Sequence, residues 1–176
     1  AADQRHPDIS PLHYARICHD TSEVVAAKNP QMPILYDTGH LLSFAPPFLK
    51  DGDVLIGQTA AILNHIAPSL KLVARNDRMR VWTQQIQLTI ADMVNEAHDT
   101  HHPIDSGLFY VEQKAEALRR AKGFCSTRMP KYLQWFESII VRNPGGSRHL
   151  VGGRLSYADL SLFQLVEGLR YAFPKA

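Results

Sequence analysis

Seven of the eleven prolines fall in the first 70 residues, at positions 7, 11, 30, 33, 46, 47 and 68. Each removes a backbone donor and fixes φ, so this part of the chain must be built from short elements and turns. After Pro68 the texture changes to long helical patterns without strands. Helix periodicity dominates there, with apolar residues recurring every three or four positions. The order predicts an α/β domain over residues 1–70 followed by an all-α domain over 76–176, joined near 68–75.

Within the first part, "LHYARIC" (12–18) reads as a strand and "DTSEVVAAKN" (20–29) as a short helix with Asp20 and Glu23 in capping-box relation. "FLKDGDVLIG" (48–57) reads as a hairpin, because a primed turn needs positive φ and Gly52 supplies it without a Cβ penalty. "TAAILNHIA" (59–67) follows as a helix, with Thr59 expected as its N-cap.

In the second part, Met79, Trp82, Ile86, Ile90, Met93, Val94 and Ala97 form one apolar face of a helix over 76 to about 100. A second helical stretch is expected from about 112 to 142, broken or kinked at Pro130, and "NPGGS" (143–147) is a turn. A third helix opens at Ser156, where Asp159, three residues on, suits the positive helix end.

The bulk numbers exclude several classes. With 19 basic and 17 acidic residues, nothing calls for a nucleic acid or an anionic membrane as partner. Cys18 and Cys125 are far apart and in no CxxC spacing, which argues against a disulfide framework or a thiolate metal site. No apolar run reaches the roughly 18 residues a spanning helix needs. A cytoplasmic protein whose partner is a small molecule or another protein is the expectation.

"EAHDTHHP" (96–103) is the most chemically suggestive run on its own residues. His98 and His102 are four apart, which on a helix puts both on one face with Glu96, Asp99 and His101 nearby. A zinc site and a solvated helix end stabilised by the dipole both fit the run. No HExxH pattern is present, and Pro103 is expected to end the helix.

"APPFLKDGDVLIGQTAAILNHIA" and "LVGGRLSYADLSLFQLVEGL" together resemble the cytosolic glutathione transferase family. The first resembles its Pro-strand-turn-strand-[Gln/Glu]-[Ser/Thr]-helix passage and the second its Gly-x-x-[Ser/Thr]-x-Ala-Asp helix start. "QLTIADMVNEAHDTHHP" and "GLRYAFPKA" look like a bacterial-type branch. The resemblance implies a thioredoxin-like N-terminal domain, incomplete in this chain, followed by an all-helical bundle.

It also implies a site. Pro47 matches the proline that turns the backbone outward to pair with glutathione, while Pro46 has no N–H to offer that ligand. A rigid loop is the plainer reading of the pair. Gln58 and Thr59 match the residues that hold the γ-glutamyl end, where a helix N-terminus carries free donors and partial positive charge. An ordinary N-cap is the alternative. Asp92, 33 residues after Thr59, matches an Asp that reaches across a homodimer interface to the ligand amino group; an exposed helix position explains it equally well. His98, His102 and Tyr110 would line the pocket for the electrophilic co-substrate. Glutathione would be co-substrate, with no cofactor, and Asp159 would serve folding.

The thiol-activating residue stays open. If "LHYARIC" is the family's second strand, the first βα unit is outside this chain, and the C-terminal helices that the family carries after Ala172 are outside it too. If residues 12–29 are themselves the first βα unit, Tyr14 and Cys18 become candidates. The expected function is conjugation of glutathione to a small electrophile. A silent binding or scaffold protein of the same fold and a His-rich metalloenzyme are the alternatives.

Overall fold

The computed structural model describes residues 47–176. The chain divides into two compact units, Ala1–Ile62 and Leu63–Ala176. The strand expected at 12–18 and the helix expected at 20–29 lie outside the described residues, as do Tyr14, Cys18 and Pro46.

In the first unit, β1 (Phe48–Asp51) pairs antiparallel with β2 (Val54–Gly57), with Phe48 opposite Gly57 and Asp51 opposite Val54. Gly52 and Asp53 form the two-residue loop, and Gly52 alone of the pair has positive φ, at 57°. Positive φ at the first loop position only is the II′ pattern, whose twist matches that of the flanking strands. Leu55 is the buried side chain of the hairpin.

Helix α1 (Thr59–Ile66) follows directly and runs into the second unit. Its first bond runs from the Ile62 N–H to the Gln58 carbonyl at 3.0 Å. Gln58 therefore takes the cap position and Thr59 is the first helical residue, one place later than the N-cap role expected for it. The side chain that sequence reasoning assigned to capping is left on the first turn.

The second unit is helical. Asn76 caps α2 (Asp77–His98) by accepting from the Met79 N–H at 2.9 Å. Helix α3 (Lys114–Gly123) passes into a π turn over Phe124–Arg128 and then into α4 (Met129–Arg142), while α5 (Tyr157–Ala172) closes the unit. Pro130 was expected to break or kink the helical stretch, and the stretch is interrupted by the π turn just before it; Pro130 itself sits in the first turn of α4, where a missing N–H costs little.

The core joins Ile86, Ile90 and Met93 of α2 to Phe124, Phe136, Leu150 and Val151, and to Ala158, Leu165 and Leu169 of α5. Fully burying a side chain such as Phe136 contributes about 1.5–3 kcal/mol. Trp135 meets Trp82 edge-on at 6.4 Å and Phe136 at 5.0 Å. Val94, counted on the apolar face from its spacing, is 47% exposed, whereas Thr83 and Gln87 are buried. The buried stripe follows 83, 86, 87, 90 and 93, rotated slightly from the one drawn by hydrophobicity alone.

Ser156 and Asp159 form the expected capping box at the start of α5. The Asp159 carboxylate accepts from the Ser156 N–H at 2.7 Å, the Ser156 hydroxyl at 2.6 Å and the Leu150 N–H at 2.7 Å. One carboxylate thus fixes both the helix start and the loop before it. In the 143–153 turn, the Asn143 amide donates to the carbonyls of His149 and Gly152, both at 2.7 Å. Gly145 packs so closely on Gly152 that a Cβ would come within 2.2 Å of its backbone.

Candidate functional site

In the first unit, Pro47 is exposed immediately before β1, and Gln58 and Thr59 are exposed where β2 hands over to α1. The backbone of Gln58 has φ 67°, one of two non-glycine residues with positive φ among the described residues. A Cβ in the left-handed region costs about 1–2 kcal/mol, and such strain persists where the surroundings over-determine it. Ahead of it lie the first N–H groups of α1, which no helix can satisfy internally. The geometry offers donors and a positive helix end to an anion.

In the second unit, His98 is the last residue of α2 and His102 lies beyond it, so they do not share a helix face. Their rings nevertheless stack, with centroids 5.2 Å apart and planes at 26°. The chain turns after Asp99 and carries His102 back over the helix end. Tyr110 opens a short 3₁₀ turn (Tyr110–Glu112) and its ring lies 5.9 Å from that of His101, which in turn lies 6.2 Å from Phe173. Loss of water around the His101 ring pushes its pKa below the usual value, and His102 and His98 push the same way. The structure thus gathers His98, His102 and Tyr110 with His101 at one end of α2.

Asp92, on α2, is exposed and makes no hydrogen bond or ion pair with the described residues. An exposed carboxylate on a helix needs no internal partner.

Glu96 is held by Arg128 through two bonds of 2.8 and 2.6 Å and by the Tyr132 hydroxyl at 2.7 Å. The Arg128 guanidinium is the main cause of its depressed pKa of about 2. Asp99 pairs with Arg120 at 3.3 Å. Both carboxylates near the histidines are thereby engaged by arginines, and among the described residues no group of three or more His, Cys, Asp or Glu gathers as a ligand set. The zinc reading finds no support in the donor chemistry. An open cleft of about 550 Å³ runs past Glu96, Arg119, Arg120, Phe124 and Arg128.

The family model for the glutathione S-transferase C-terminal domain matches residues 98–176. Over those residues the chain is similar to the C-terminal domain of the glutathione transferases. It is 28% identical over 120 residues to glutathione S-transferase P of Capra hircus and equally to that of Homo sapiens, covering 68% of this chain and 51% of each relative. It is 26% identical over 121 residues to glutathione S-transferase P 1 of Xenopus laevis, covering 69% of this chain and 51% of that protein. The chain spans about half the length of these curated relatives. The structure is similar to that of the Pi-class glutathione S-transferase of Onchocerca volvulus, with a TM-score of 0.60 and 21% identity over 93% of this chain and 73% of the other. That likeness shows the fold: the transferase architecture of an α/β part followed by a helical part.

Three functional features escaped sequence reasoning. His101 was noted only as a neighbour, the Glu96–Arg128–Tyr132 cluster joins residues 32 and 36 positions apart, and Gln113 is fully buried in a polar loop. No local pattern marks the last two.

Among the described residues, no helix is long and apolar enough to cross a membrane.

Proposed function

We propose that the protein conjugates glutathione to a small electrophile, with domains over 1–70 and 76–176 dividing the work. Glutathione binds at Pro46 and Pro47 and at Gln58 and Thr59. His98, His102 and Tyr110 line the wall for the electrophile. The single observation that supports this best is Gln58, an exposed residue at φ 67° placed directly before the first-turn N–H groups of α1, which have no partner within the helix. Strain at an exposed residue is what a ligand clamp would explain.

The chemistry is attack of the glutathione thiolate on the electrophile. The γ-glutamyl carboxylate takes the helix end, with the Thr59 hydroxyl and the Gln58 amide as directional partners. Losing the Pro46 donor weakens the backbone pairing by about 0.5–1.5 kcal/mol. Asp92 serves the ligand amino group of the partner subunit in a homodimer, in a reducing cytoplasm. Acceleration comes from thiolate formation and from positioning.

Retention on immobilised glutathione, measured with conjugation of a chromogenic aryl halide, tests the reading. Binding with turnover supports it. Retention without turnover points to the silent binding protein of the same fold, and loss of neither on Gln58→Ala and Thr59→Ala removes these residues from the site. Monomers at micromolar concentration in sedimentation would refute the homodimer.

A further inference from the structure

The cap position of α3 is held by Gln113, whose carbonyl accepts the first helical bond from the Ala117 N–H at 2.9 Å. A cap residue normally turns its side-chain oxygen onto its own helix. Gln113 does not: its side chain makes no cap bond and is fully buried against the preceding loop. Its Oε1 accepts from the Ile104 N–H at 2.9 Å and lies 3.5 Å from the Asp105 N–H. Its Nε2 donates to the Asp105 carbonyl at 3.0 Å and the Leu108 carbonyl at 3.1 Å. Both amide hydrogens are thus used on backbone carbonyls.

His102 Nδ1 lies 3.3 Å from the same Leu108 carbonyl and 3.4 Å from Gln113 Nε2. A carbonyl has two lone pairs, so Leu108 can accept from Gln113 and from an Nδ1–H together. The other tautomer would ask Gln113 for a third hydrogen it does not have. Every group is served only when the hydrogen sits on Nδ1.

We propose that Gln113 is a positioning residue for the electrophile wall: by holding residues 104–108 it fixes His102 with its hydrogen on Nδ1, leaving Nε2 as the nitrogen offered to a ligand. The proposal rests on the reading of His98, His102 and Tyr110 as lining. It adds what that reading lacks, a reason for the His102 ring to keep one orientation while its neighbour His98 remains exposed.

Long-range ¹H–¹⁵N NMR of the whole chain reads the tautomer directly. The neutral His102 ring is expected to show a protonated Nδ1 and an unprotonated Nε2. In Gln113→Leu the two nitrogens should move toward the averaged values of a free imidazole. The KM for an aryl halide should rise about three- to tenfold, the equivalent of one positioning hydrogen bond, with the KM for glutathione unchanged. An Nε2–H tautomer or an averaged ring in the unmodified protein overturns the proposal, and that measurement decides even if Gln113→Leu does not fold. So does a folded Gln113→Leu with unchanged ring nitrogens. The expected nitrogen pattern in a chain that conjugates nothing counts against the transferase reading and for the loop assignment.

Discussion

The hairpin and helix start at 48–66 and the histidine loop at 96–113 are both candidate ligand surfaces, but they are specified differently. In the first, every device acts on its immediate neighbours: Gly52 turns the strands and Gln58 opens the helix with a bond to Ile62. In the second, the decisive bonds span distance. Gln113 reaches back to the Ile104 N–H, and Glu96 is held by Arg128 of the π turn and Tyr132 of α4. Local devices can be read from a chain; the placement of the histidines depends on packing that only the folded unit supplies.

Removing a residue that serves both kinds of contact should have the largest effect. Asp159 closes the local box with Ser156 and also reaches the Leu150 N–H nine residues back. Asp159→Ala leaves three donors without their acceptor and is expected to cost about 3 kcal/mol, read as a fall in the urea midpoint at constant m-value. A loss below about 1 kcal/mol would show that water replaces the carboxylate and that the box is merely local.

Next comes Gly145, whose close approach to Gly152 is non-local. A Cβ there would lie 2.2 Å from the Gly152 backbone, so the two arms of the 143–153 turn must move apart. Gly145→Ala should destabilise by about 1–3 kcal/mol in the same measurement, the usual range for overpacking. The turn itself was legible from "NPGGS", but the reason for this particular glycine was not.

That difference holds along the chain. Asp51–Gly52 announced the hairpin and Ser156–Asp159 the start of α5, because both signals lie within one turn of chain. The α2 face was read nearly correctly, with Val94 misplaced because spacing locates a stripe only to within a residue or so. Thr59 was taken for the cap because its residue type favours that role, while tertiary geometry gave the position to Gln58. Gln113 could not be found, since an amide in a polar loop looks the same whether it is solvated or buried.

The Glu96–Arg128–Tyr132 cluster can be broken by pH. Glu96 has its pKa depressed from about 4.5 to about 2, so its contribution is complete above about 4.5 and is lost as pH falls through about 2. The arginine is solvent-exposed, so solvent screening keeps the contribution of the pair small. Glu96→Gln should therefore lower stability near neutral pH and flatten the decline between pH 4.5 and 2, followed by thermal unfolding across that window. An unchanged acid slope would mean that other carboxylates carry it.

The smallest effect has the opposite sign. Gln58→Gly releases a Cβ held at φ 67°, which gains back about 1 kcal/mol of strain, partly offset by the greater freedom of glycine in the unfolded chain. The net expectation is a stabilisation of about 0.5 kcal/mol, a slight rise in Tm. If the residue serves glutathione, the same variant loses the side-chain amide and should elute earlier from immobilised glutathione. Higher stability with weaker binding is the signature of strain kept for a ligand. Higher stability with unchanged retention would assign the strain to the tight passage from β2 into α1, and would make the first region a purely local piece of folding.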